Sequence, residues 1–287
     1  MPSKLDYEFY RQQYDDLKPL TDEELEQHYR EFGVAEGRIP NALDAREHLL
    51  SIVAESGDVL EIGPFFNPTI AGENVSYFDV LDQNALRARA KDHSLNPDNV
   101  PYIDYVSPIG DLSVVDHQFA AAISSHCIEH QPNLVGHLHQ VEQLLIPGGS
   151  YFLIVPDKRY CFDSLLAEST SADIIGAHIE GRKRHAVAHI IEHRAMTTHN
   201  DPQRHWQGDH TEPRSDEERQ RRIRQALQEV SDAGEDYIDV HAWKFTPDCF
   251  HKILDDLAAL ELTGLSIDYI GDTPSGRNEF TAVLKKQ

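Results

Sequence analysis

The sequence predicts an α/β fold: a doubly wound, mostly parallel sheet that ends in an antiparallel hairpin, with a helical insertion and a small N-terminal helical module. Three observations predict it. Between residues 43 and 156, short apolar runs alternate with helical patterns, the signature of βαβ units and a parallel sheet. The C-terminal stretch carries two strand-like runs instead, LTGLSIDYI and EFTAVLKK, joined by the turn segment DTPSGRN, which reads as a hairpin. A long polar stretch, residues 157–245, separates these halves.

Each element follows in order. In residues 1–40, Tyr7, Tyr10, Tyr14, Leu17, Leu25, Tyr29 and Phe32 have the spacing of short amphipathic helices, and Gly33 and Gly37 suit helix ends. LDAREHLLSIVAESG puts Leu43, Leu50 and Val53 on one helical face and stops at Gly57, which accepts a left-handed cap. Next come the strands DVLEIG and VSYFDV, a helix opened by Asp82 as N-cap, the strand FAAAISS, a helix through VEQLL and the strand SYFLIVP. Within 157–245, Ser215 and Glu218 have capping-box spacing, so a helix starts there. A last helix begins at Thr246 and Pro247. The expected division is residues 1–40 as the helical module and 41–287 as the main domain, with 157–245 as a lid or acceptor-binding insertion.

The chain has 287 residues, enough for one large core and a smaller appendage. Its formal charge of −23 repels phosphate-rich partners and argues against nucleic acid. Cys127, Cys161 and Cys249 form no CxxC pair and leave an odd thiol, which fits a reducing compartment and core packing. There is no apolar leader and no window long enough for a membrane span, so the expectation is a cytoplasmic protein.

Gly63 of VLEIGPFFNP follows an apolar strand directly, where a tight turn lets the backbone approach a ligand at the sheet's carboxyl edge; a plain βα turn needs the same glycine. Asp79 ends the next strand, where an acidic side chain can accept hydrogen bonds from both hydroxyls of a ribose. With these, LEIG, IGDLS, SSHCIEH and LLIPGGSYFLIVPD occur in the order found in class I S-adenosylmethionine-dependent methyltransferases, which the chain resembles from about Leu43 to its C-terminus, outside the insertion. The resemblance implies a Rossmann-like methyltransferase sheet and S-adenosylmethionine as cofactor. It also implies donor contacts from Glu61, Gly63, Pro64, Asp79, Asp111, Leu112 and Ser125. Two departures are plain: the usual GxGxG is reduced to Gly63, Pro64 and Phe65, and the acid usual before the fourth strand is Ala120. A nicotinamide-binding dehydrogenase would show GxGxxG, which EIGPFFNP lacks.

SHCIEH sets His126, Glu129 and His130 at a strand's carboxyl end, able to move a proton, bond an acceptor or ligate a metal. Family members with ExxEH there hold a divalent ion, and here His126 stands for the first Glu. His126, Glu129 and His130 are therefore candidates both for catalysis and for a divalent metal ion, with His189 or His193 as a further ligand. Within the insertion, seven histidines from His178 to His210 are interleaved with arginines; solvated histidines and a cationic patch for an acidic acceptor are the alternatives to ligation. The stretch YEFYRQQYDDL to HYREFGVAEGRIPN resembles a helical module found before glycosyltransferase and methyltransferase domains of bacterial polysaccharide-synthesis proteins, and VPDKRYCFD resembles sequences of that group. The expected activity is transfer of a methyl group to a sugar or glycan hydroxyl in polysaccharide biosynthesis, with a carbohydrate or small-molecule acceptor and a glycosyltransferase as partner. Two alternatives stand: a catalytically silent adaptor of a glycosyltransferase assembly, and a small-molecule or quinone O-methyltransferase.

Overall fold

A computed structural model describes residues 4–287. The N-terminal module consists of α1 (Tyr7–Gln13) and α2 (Asp22–His28), the latter opened by a Thr21/Glu24 capping box. Tyr10, Leu17 and Leu25 bury into a small core of their own, and Tyr14 Oη accepts the Ile39 N–H at 2.8 Å, closing the module on its exit segment.

The helix expected from Leu43 begins later, as α3 (Arg46–Ala54). Leu43 lies in a separate 3-10 turn, Ala42–Asp44, because the Asn41 side chain accepts the Leu43 N–H and Asp44 is held by the Tyr269 hydroxyl at 2.8 Å. Then follow β1 (Val59–Ile62), β2 (Val75–Asp79), α4 (Gln83–Asp92) capped by Asp82, β3 (Tyr105–Val106), β4 (Phe119–Ser125), α5 (Leu134–Leu144) and β5 (Leu145–Pro156). The two-residue β3 is too short to carry a period and has no sequence signal. Strand β5 starts earlier than SYFLIVP, since Gly149 lets the PGG turn join it: a Cβ there would lie 2.9 Å from the Ile146 carbonyl oxygen.

Residues 157–245 hold α6 (Ser171–Ile179), α7 (Val187–Ile191), α8 (Pro202–Trp206) and α9 (Asp216–Ala233). Both ends are anchored at one point, because Asp157 and Phe245 form a parallel bridge and the Lys158 N–H donates to the Phe245 carbonyl at 2.8 Å. Helix α10 (Pro247–Ala259), β6 (Leu265–Ile270) and β7 (Glu279–Lys286) complete the chain.

The seven strands are ordered β3-β2-β1-β4-β5-β7-β6, all parallel except β7, which runs antiparallel to both neighbours. This is the doubly wound, mostly parallel α/β sheet with a C-terminal antiparallel pair. Side chains alternate between two cores, as the strand period requires. Leu60, Ala122, Leu153 and Val155 pack against α5 and α10, while Val59, Ala121, Ile123 and Ile154 pack against Leu49 and Val53 of α3. The strand order reverses between β1 and β4, the place where open α/β sheets bind ligands beyond their carboxyl ends. Among the described residues no helix is long and apolar enough to cross a membrane.

Candidate functional site

Gly63, just past β1, has φ +75° and donates its N–H to the Phe78 carbonyl at 2.9 Å. A Cβ at this position would lie 3.2 Å from Cys127 Sγ, so the turns after β1 and β4 touch here. The following loop folds back over Asp79. Phe65, at φ +46°, donates its N–H to Asp79 Oδ2 at 3.4 Å, and Leu81 N–H reaches Oδ1 at 3.2 Å. Burial pushes the Asp79 carboxyl pKa up, while those amides and Arg89 pull against it. A carboxylate offers about four acceptor sites, so these bonds leave acceptor capacity on both oxygens for hydroxyl donors. Glu61 points under the loop: it accepts from Thr69 N and Oγ1 at 2.7 and 2.8 Å and from Ile70 N at 3.3 Å, fixing the path of residues 64–70. Asp111 caps the turn Leu112–Val114 and accepts from Gln140 Nε2 at 2.7 Å, while Leu112 is buried in the main core. Ser125 Oγ accepts from Arg46 Nη2 at 3.3 Å.

Beyond β4 the chain turns sharply at His126, whose φ is +50°. A 3-10 turn, Ile128–His130, then carries Glu129 inward, fully buried. The Glu129 carbonyl accepts the N–H groups of Ala242 and Trp243 at 2.8 and 3.2 Å, which lays residues 239–243 across the turn. This brings His241 beside His130, with ring centroids 4.7 Å apart. His130 Nε2 and His241 Nε2 each lie 3.7 Å from Glu129 Oε1. Each ring has a carboxylate on its other side. His241 Nδ1 is 2.5 Å from Asp163 Oδ2, and His130 Nδ1 is 2.9 Å from Asp239 Oδ1, an ion-pair distance outside hydrogen-bond alignment. Asp239 is in turn 2.6 Å from Arg89 Nη2. Burial pushes His241 down to about 3 and Asp163 up to about 6. Burial also opposes the charge on His130, but Asp239 and Glu129 outweigh it and raise its pKa. His130 and Arg89 likewise hold Asp239 far below the usual carboxylate range against its burial.

The chain resembles solved S-adenosylmethionine-dependent methyltransferases. One from Clostridium acetobutylicum is 11% identical, with 92% of this chain and 98% of the other covered and a TM-score of 0.43. Another, from Aquifex aeolicus, is 11% identical over 86% and 92% of the two chains, with a TM-score of 0.42. Magnesium protoporphyrin IX methyltransferase from Synechocystis, solved with S-adenosylhomocysteine bound, is 11% identical over 84% and 83%, with a TM-score of 0.37. No family model and no curated protein matches the sequence. The strand order, rather than these likenesses, carries the fold assignment.

Of the residues singled out in the sequence, Glu129 and His130 come together and His126 turns away. His126 Nε2 sits 2.7 Å from Glu279 Oε2, whose other oxygen takes Arg46 Nη1 at 2.8 Å. The left-handed backbone at His126 directs the side chain to β7 instead of toward Glu129. His189 and His193, on either side of the junction between α7 and a π turn, both meet residues 241–243, but neither has a ring nitrogen in the group formed by Glu129, His130 and His241. His189 packs edge-on against Trp243, and His193 Nδ1 accepts the His241 N–H at 3.3 Å. Sequence reasoning missed His241, Asp239 and Asp163. A signal existed for two of them: Asp239 and His241 alternate in the extended run YIDVHAW and so share one side. Asp163 closes VPDKRYCFD.

Proposed function

We propose that the protein transfers a methyl group from S-adenosylmethionine to a hydroxyl of a sugar or another small polar acceptor. The observation that carries this reading is the pairing of two half-sites on one carboxyl edge. Asp79 and the Gly63 turn lie on one side of the β1/β4 reversal and the Glu129, His130 and His241 cluster on the other, joined by the Gly63–Cys127 contact. Asp79 would take the ribose hydroxyls, and Asp111 and Leu112 would border the adenine. Bound there, S-adenosylmethionine supplies an electrophilic methyl on a sulfonium, which leaves as a neutral thioether. The cluster's part is to hold the acceptor oxygen in line and to favour loss of its proton. A shallow groove of about 670 Å³, lined by Gln225, Glu229, Ala233, Tyr237, Ile238 and Asp239, reaches the cluster only through Asp239, which faces His130.

Calorimetric titration of S-adenosylmethionine and S-adenosylhomocysteine tests the donor half. Binding in the micromolar range is expected, lost by roughly tenfold or more in Asp79→Ala, the loss of charge-assisted bonds of about 1.5–3 kcal/mol. Unchanged affinity in Asp79→Ala removes the ribose assignment. One observation favours the silent-adaptor reading: the Asp79 carboxylate is already bonded by two backbone amides across an altered glycine loop. Absence of donor binding by the wild-type protein would put that reading first.

A further inference from the structure

We infer that Glu129, His130 and His241 form a binding site for one divalent transition-metal ion of the zinc type, with Asp163 and Asp239 as positioning residues. Three observations converge on it. Glu129 is fully buried, yet neither carboxylate oxygen has a hydrogen-bond partner, a costly state for a charge unless a cation completes it. One ligand atom from each of the three residues lies within 4.8 Å of the others. Both imidazoles point Nε2 at the same carboxylate oxygen from 3.7 Å, too far for a hydrogen bond. That spacing is close to the roughly 3.3 Å between two ligands that each stand about 2.0–2.1 Å from a tetrahedral ion.

The outer groups decide the protonation state. A hydrogen bond to Asp163 keeps the His241 proton on Nδ1, and the Asp239 charge 2.9 Å from His130 Nδ1 favours the proton on that side without an aligned bond, so each ring presents its Nε2 lone pair inward. Carboxylates behind ligating histidines have this role in metal sites, where they fix the tautomer and raise ligand basicity. Two imidazoles and one carboxylate suit zinc and its first-row neighbours better than magnesium, which prefers oxygen ligands. Three protein ligands leave a coordination position open, as in catalytic rather than structural sites. His126 belongs to a different set, being held by Glu279. The ion's role rests on the methyl-transfer reading: an acceptor hydroxyl on the open position would lose its proton to solvent past the part-exposed His130, and the resulting oxygen anion would attack the methyl. The binding itself does not rest on that reading.

Metal content of the full-length protein, purified, chelated and reloaded with Zn²⁺, Co²⁺ or Mg²⁺, tests the site. One equivalent of Zn²⁺ or Co²⁺ is expected, with visible d–d bands for Co²⁺ and no retention of Mg²⁺. Glu129→Gln and His241→Ala should lose the ion, and Asp163→Asn should weaken it by roughly 10–100-fold. Should a variant fail to fold, the wild-type Co²⁺ spectrum decides by itself. Substoichiometric metal after reloading, or a Co²⁺ spectrum unchanged in Glu129→Gln, overturns the site. Donor titration is a separate measurement, so loss of the metal claim and loss of the methyl-transfer claim are told apart.

Discussion

At the residue scale, the molecule concentrates buried polar groups where β4, β5 and residues 239–243 meet. Under β4, Tyr151 Oη bonds Ser124 Oγ at 2.8 Å and His137 Nε2 at 3.0 Å, with all three side chains buried. These groups have partners in each other, unlike Glu129, and that contrast separates a structural network from a site awaiting a ligand. Removing the Tyr151 hydroxyl leaves two buried groups short of a partner. Tyr151→Phe should therefore destabilise the fold by about 1–3 kcal/mol in urea unfolding, with metal content unchanged. A neutral result would mean that the Ser124 hydroxyl and His137 satisfy each other once the phenol is gone.

At the scale of elements, caps decide where helices start and thereby what they carry to the site. Thr246 ends the segment that delivers His241 and begins α10 with a capping box to Cys249 and Pro247 in the first turn. Its hydroxyl also donates to Glu168 Oε1 at 2.7 Å. Thr246→Ala removes the cap and that bond, and the expected loss is about 1–2 kcal/mol in chemical denaturation. Because α10 sits behind the sheet, donor affinity should stay within twofold of wild type. A large affinity change would instead show that the cap governs the position of residues 239–243. The 3-10 turn at Ala42–Asp44 has the same character, since a local Asn41 cap and the distant Tyr269 hydroxyl together override the helical periodicity of Leu43.

At the scale of the whole molecule, burial of histidines couples folding to pH. His137, His189 and His193 are pushed down to about 4, and His185 and His241 to about 3, each chiefly by desolvation. Between those values and 6.5 the unfolded chain binds protons that the folded chain refuses, so stability rises with pH through this window and is lost as pH falls through it. His126 and His130 act in the opposite sense. Their pKa values are raised, so their contribution is present below 6.5 and fades as pH climbs through the folded values. Below 6.5 the two raised histidines are charged in either state and cease to oppose, which leaves the buried carboxyls of Asp163, pushed up to about 6, Asp79 and Glu61 against the five histidines, each group contributing up to about 1.4 kcal/mol per pH unit. With chelator present, to exclude proton-driven metal loss, Tm should drop steadily between pH 7 and pH 5. A flat Tm over that range would mean that these rings are solvated.

The sequence by itself determined the sheet and most of its edge. Runs of four to seven apolar residues separated by helical periods carry β1, β2, β4 and β5, and Gly63, Asp79, Glu129 and His130 could be located because they are tied to strand ends by local backbone geometry. Local caps at Asp82, Ser215 and Thr246 were legible for the same reason. What only the tertiary structure decided is which side chains meet. His241 is 111 positions beyond His130 along the chain, and Asp163 lies between them; nothing short of the Asp157–Phe245 closure and the Glu129 carbonyl contacts brings them to one carboxylate. His126 shows the converse, since its residue type and spacing match the cluster but its left-handed backbone aims it at Glu279. Periodicity encodes faces of elements, whereas a site built from three distant segments is encoded in long-range packing, which has no period to read.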